Sequence, residues 1–208
     1  MQPLPLDRLY QDSLPGTSLS SHEVAQEYKE ISVNTVTVPF KVKNEEDTYI
    51  LVWTTTPWTL IANVAACVNP KEKYIKALVD GKKYYVANAL ASKVLGEEYE
   101  VLEEYVGKDL EGIEYEQFIP ELEVNEKAFF VTCADYVTME DGTGIVHIAP
   151  AFGEDDANVG KKYKLPYVNP VNEDATYKEG LWKGMNIFEA DLEVIKYLKE
   201  NDKLFKKQ

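Results

Sequence analysis

The stretch ILVWTTTPWTLIANVAACVNP, running from Ile50 to Pro70, changes character in mid-course. Tyr49 to Trp53 is apolar throughout, the pattern of a strand buried on both faces. Three hydroxyls follow, Thr54, Thr55 and Thr56, and then Pro57, which has no N–H and holds the residue before it in extended geometry. The strand is therefore predicted to break here, with its hydroxyls at the broken end. Threonine hydroxyls both donate and accept, which suits a ligand presenting ribose hydroxyls and an ester. The ordinary alternative is a threonine-rich strand end, where β-branched residues are at home.

Further strands are predicted on either side. Val36, Val38, Phe40 and Val42 alternate with polar or neutral neighbours, the period of a half-buried strand. Tyr74–Val79 and Lys83–Ala87 flank Asp80-Gly81, a dipeptide that favours tight hairpins. Ala128–Cys133 and Gly144–Ala149 complete the set. Helices are fewer. Ser21 heads HEVAQEYKE, Asn88 stands where it can cap ALASKVL, Glu154–Tyr163 starts on acidic residues, and Asp191–Glu200 spaces its apolar residues at helical intervals. Many short strands with scattered helices predict an α+β fold, a barrel-like β core with peripheral helices. Residues 1–18 hold Pro3, Pro5 and Pro15 without an apolar period. They predict a flexible lead-in, native or appended, and leave residues 19–208 as the folded domain.

Composition narrows the function. The 208 residues include 22 Lys plus Arg against 36 Asp plus Glu, a formal charge of −14. Phosphate neutralisation by basic side chains supplies most non-specific nucleic-acid affinity, so a free-standing nucleic-acid binder is disfavoured. Residues 97–126 carry twelve acidic side chains and one lysine, Lys108, and predict a solvated acidic face. Cys67 and Cys133 are the two cysteines and form no CxxC, so no disulfide framework and no metal site is expected. A reducing, cytoplasmic setting fits this usage. No apolar run approaches the ~20 residues of a membrane span, and no membrane partner is expected.

A second segment stands out, GTGIVHIAPAFGEDD from Gly142 to Asp156. Glycines at 142 and 144 let backbone approach a ligand closely, His147 sits in a short apolar strand, and Asp155 and Asp156 open a helix. Each has a plain structural alternative: a satisfied core histidine, and carboxylates that complement a helix dipole. A different chemistry is also open, with Cys133, His147 and an aspartate forming a thiol hydrolase, although AFFVTC suggests that Cys133 is buried and inert.

Taken together, the two segments resemble the editing domain inserted into class I isoleucyl-tRNA synthetases. LSSHEVAQEYKE, GKDLEGIEYE and LPYVNPVNEDATY add support, so the likeness runs from about Leu19 to the C-terminus. Valyl- and leucyl-type editing domains are the alternative, but they typically carry arginine where this chain has Thr56, and Trp58 also favours the isoleucyl type. Neither HIGH nor KMSKS occurs, so the chain is expected to be an excised fragment with no cofactor of its own, ATP serving only the intact synthetase. The resemblance implies hydrolysis of valine mischarged onto the isoleucine tRNA, and clearance of the misactivated adenylate. A hydrophobic pocket that accepts isoleucine rejects valine weakly, the standing general example of this limit. The implied partners are the tRNA 3′ end and the other synthetase domains. By the same resemblance, Asp156 binds the substrate's α-ammonium and His147 limits side-chain size. Thr54, Thr55 and Thr56 meet the ester and terminal ribose, with Thr56 nearest the reacting end. Trp58 and Asn63 contribute wall and terminal-nucleotide contacts, and Gly142 and Gly144 admit the adenosine.

Overall fold

The computed structural model describes residues 34–207; the helix predicted behind Ser21 and the lead-in over 1–18 lie outside them. Nine strands form one mixed, curled sheet: β1 (Val36–Lys41), β2 (Thr48–Thr54), β3 (Ala65–Val68), β4 (Lys73–Val79), β5 (Lys82–Ala87), β6 (Glu100–Val106), β7 (Phe130–Cys133), β8 (Ile145–Ile148) and β9 (Lys206–Lys207). The main path runs β6-β4-β5-β2-β8-β3-β7, with β1 paired to β2 and β9 paired to β1. Among the described residues three α-helices lie around it, α1 (Ala91–Leu95), α2 (Glu154–Tyr163) and α3 (Ile187–Glu200). This is the α+β, barrel-like core with peripheral helices that the strand pattern predicts.

β2 organises the sheet. Its first residues pair in parallel with β5, while Trp53, near its end, pairs in parallel with Val146 of β8. β1 runs antiparallel along its other edge, with Phe40 opposite Ile50 and Val36 opposite Thr54. Ile50, Leu51 and Val52 are all buried, as expected of a strand covered on both faces. Beneath it, Phe40 stacks on Tyr115 and tilts against Phe118, each with ring centroids 4.8 Å apart. Asp80 and Gly81 both take positive φ, 48° and 81°, and join β4 to β5 in a hairpin whose register starts at Val79 opposite Lys82.

Several local expectations need correction. Asn88 caps nothing: Asn88–Leu90 form a 3-10 turn, and α1 begins behind Leu90 without a side-chain cap. α3 starts before Asp191, because Asn186 accepts a hydrogen bond from the Phe188 amide and opens the helix there. β7 begins only at Phe130, since Phe129 sits at φ 61° and cannot extend a strand. β3 and β6 were not foreseen. β6 lies within the acidic stretch and is an edge strand with Val101, Leu102 and Val106 exposed, so neither face shows alternation.

Candidate active site

The break after β2 is a 3-10 turn, Pro57–Ala62, with Pro57 at its start and Thr56 as the residue before it. In a 3-10 turn, side chains three apart lie one above the other. Thr56 and Thr59 accordingly meet, their hydroxyl oxygens 3.0 Å apart. Thr54 Oγ1 accepts a hydrogen bond from the Thr56 amide at 3.1 Å and lies 3.3 Å from the Thr56 hydroxyl. A line of hydroxyls thus runs from the end of β2 into the turn. Thr54 is buried, Thr56 half-buried and Thr55 exposed.

The line ends on a histidine. The Thr59 hydroxyl donates to the Thr56 carbonyl at 2.8 Å and stands 2.8 Å from His147 Nε2. With its single proton committed to that carbonyl, Thr59 accepts from Nε2–H, which leaves Nδ1 enclosed and without a partner. Burial alone drives the His147 pKa down to about 4, so the ring is neutral at pH 7. β8 carries His147 next to β2 on one side and opposite Ala66 of β3 on the other.

Asp156 arrives from the first turn of α2. It does not cap its own helix, whose N-cap is Gly153 without a side-chain bond. Its Oδ2 instead reaches back to accept the Ala149 amide at 2.8 Å. Burial raises its pKa to about 6, against the pull of that amide, and the neighbouring Asp155 charge adds to the rise. A half-buried carboxylate held by one neutral donor is short of a counter-charge.

Thr54, Thr55, Thr56, Thr59, His147 and Asp156 line one cavity of about 200 Å³, walled by Trp53 and Phe152 among others. The nine residues singled out in the sequence divide. Thr54, Thr55, Thr56, His147 and Asp156 converge there; Trp58 does not reach it. Trp58 is buried behind the wall, edge-on to Phe152 at 5.0 Å. Asn63 is also a core residue: its amide donates to the Ala65 carbonyl and accepts from the Tyr115 hydroxyl, each at 2.8 Å. Gly142 and Gly144 serve the chain's own packing. A Cβ on Gly142 would lie 2.5 Å from the Trp53 ring, and one on Gly144 would lie 2.4 Å from the Ala87 Cβ. At each glycine the Cβ direction is filled by the protein's own side chains. Thr59 is the site residue that sequence reasoning missed.

The thiol alternative fails on geometry. Cys133 lies opposite Val68 and His147 opposite Ala66, so β3 stands between the two strands that carry them. Cys133 is buried, its pKa is raised by desolvation, and its Sγ faces the Gly107 carbonyl.

The family model described as "Leucyl-tRNA synthetase, editing domain" matches residues 32–190. The chain belongs to the aminoacyl-tRNA synthetase editing-domain family. The domain is 49% identical over 195 residues to the isoleucine–tRNA ligase of Clostridium novyi, covering 93% of this chain and 19% of that protein. It is 50% identical over 194 residues to the isoleucine–tRNA ligase of Picrophilus torridus, covering 92% and 19%. The chain therefore spans about a fifth of the length of these relatives. In fold it is similar to the crystal structure of the P. falciparum cytosolic leucyl-tRNA synthetase editing domain, with TM-score 0.65 at 11% identity over 82% of this chain and 98% of that one. The corresponding P. knowlesi editing domain gives TM-score 0.63 at 13% identity, over 82% and 95%. No helix among the described residues is long and apolar enough to cross a membrane.

Proposed function

We propose that the domain hydrolyses the ester of a mischarged tRNA 3′ terminus, with valine on the isoleucine tRNA as substrate, and that it acts as part of a cytoplasmic isoleucyl-type synthetase. One observation carries this reading: the hydroxyl line, the neutral His147 and the under-compensated Asp156 share a single small cavity. Thr56 in place of the arginine typical of valyl and leucyl relatives favours the isoleucyl type, as do the isoleucine–tRNA ligases among its relatives.

Asp156 binds the α-ammonium of the aminoacyl group, a charge-assisted contact that returns the carboxylate to its ionised form. Thr54, Thr55 and Thr56 engage the ester and terminal ribose. His147, held by Thr59, closes the end of the pocket against the extra methylene of isoleucine. One methylene in an apolar pocket is worth only roughly 1–3 kcal/mol as attraction, whereas a wall that excludes it discriminates in the opposite sense. No side chain is a clear general base, because an Asp156 engaged with a cation is a poor proton acceptor. Water positioned by the hydroxyls and by the substrate's own ribose hydroxyl is the nucleophile, so orientation is the main catalytic contribution.

A charge of −14 means that other synthetase domains must deliver the tRNA end. The test is deacylation of valyl- and isoleucyl-tRNA by the 208-residue chain and by a full-length isoleucyl synthetase containing it. Valyl release without isoleucyl release supports the proposal. Equal rates on both esters, or none from either protein, overturn it.

A further inference from the structure

The turn that carries Thr56 and Thr59 is gripped from behind by a part of the chain that never enters the cavity. The Tyr177 hydroxyl, fully buried, donates to the Trp58 carbonyl. Asp191, on α3, lies where that helix packs on the turn, and burial there raises its pKa against the pull of Asn34 and of the Trp58 backbone. Its Oδ2 accepts from Asn34 Nδ2 at 3.1 Å, while its Oδ1 is enclosed and without a hydrogen-bond partner. The Trp58 carbonyl is thus held by a side chain more than a hundred residues away in sequence. The next residue is Thr59, whose hydroxyl holds His147.

We propose that Tyr177 is a positioning residue for editing: by holding the Trp58 carbonyl, in the peptide that leads into Thr59, it sets the Thr59 hydroxyl, and through it the orientation of His147 in the pocket. This rests on the hydrolytic reading given above. A core residue with a purely structural role would lower stability and leave the pocket's chemistry alone. A clamp on this peptide instead lowers turnover while leaving substrate capture through Asp156 nearly intact.

The test uses Tyr177→Phe, which removes the hydroxyl and keeps the ring packed on Trp182. Deacylation of valyl-tRNA is measured alongside binding of a non-hydrolysable amide-linked valyl-adenosine. The His147 ring nitrogens are followed by NMR, where the chain has only two histidines to assign. We expect Tyr177→Phe to lower kcat at least about tenfold with analogue affinity within about twofold, and to shift the His147 Nε2 resonance. Unchanged kcat and an unmoved His147 signal overturn the clamp while the parent's activity upholds the hydrolytic reading. A parent inactive even within the full-length synthetase overturns that reading, and the His147 resonance then judges the clamp.

Discussion

Thr59 and His147, 88 positions apart, are joined by a 2.8 Å contact between a hydroxyl oxygen and Nε2. The contact ties the turn after β2 to β8 and fixes which face of the imidazole meets the cavity. Burial keeps the enclosed ring neutral, which leaves His147 shape and hydrogen bonding rather than charge to offer the cavity.

Asp156→Ala should remove the counter-charge for the substrate's ammonium and leave the Ala149 amide without its acceptor. A hydrogen bond to a charged group is worth roughly 1.5–3 kcal/mol, and misorientation adds to that. Valyl-tRNA deacylation should fall at least about 100-fold in single-turnover assays. Near-normal turnover removes Asp156 from the mechanism.

His147→Ala should open the end of the pocket. The preference for the valyl over the isoleucyl ester is then expected to drop by at least about tenfold, the scale set by one methylene. Parallel deacylation of both esters checks this, and unchanged selectivity refutes the size-limiting role.

Stability against pH carries a cancellation. His147 has its pKa lowered to about 4, so the unfolded chain takes up its proton first and stability is lost as pH falls from about 6.5 to about 4. Asp156 has its pKa raised to about 6, so the folded chain takes up its proton first and stability is gained as pH falls from about 6 to about 4. Each contributes roughly 3 kcal/mol, with opposite sign. Relative to the parent, Asp156→Asn should lose stability on acidification through this window and His147→Gln should gain it. Urea titrations between pH 4 and 7 measure the divergence; parallel curves for both variants would show that the two groups do not titrate in this way.

Gly142→Ala should be costly and Gly81→Ala comparatively mild. The first forces a Cβ to 2.5 Å from the Trp53 ring at φ 71°, while the second meets nothing within 4 Å and pays only for its φ of 81°. Overpacking costs about 1–3 kcal/mol and the left-handed backbone about 1–2 kcal/mol. Denaturation should rank the two in that order, and Gly142→Ala should also slow deacylation, because Trp53 lines the cavity.

Cys133→Ser should leave valyl-tRNA deacylation unchanged, since β3 separates this residue from His147. A large loss of turnover in a folded variant would reopen a thiol mechanism.

Much of this architecture can be read from local signals. Asp80-Gly81 announces its hairpin because few other residues tolerate two positive φ values in succession. Glu154–Tyr163 has the bounds its acidic start implies. β6 is hidden because an exposed edge strand, paired with β4 alone among the described residues, has no buried face to print a period on the sequence. β3, Ala65–Val68, is hidden for the opposite reason: it is buried throughout, and four apolar residues fit helix or strand equally. At the site, the threonine run, His147 and Asp156 stand out as types. Thr59 escapes notice because its role depends on a 3-10 turn stacking it over Thr56 and on a partner strand far along the chain. Gly142, Gly144, Trp58 and Asn63 show the converse. Residue type shows that something must approach closely or bond there, and only the tertiary structure shows that the neighbour is the protein itself.

Among the described residues β6 pairs on one side only, at one end of the sheet, with Val101, Leu102 and Val106 uncovered beside Glu100, Glu103 and Glu104. Those carboxylates are a guard against self-association, since two such borders repel before their amides can zip together. The guard is only as good as its charge: Glu100→Gln with Glu104→Gln strips it while the valines and leucine stay uncovered, so that variant should turn turbid at concentrations where the parent stays clear.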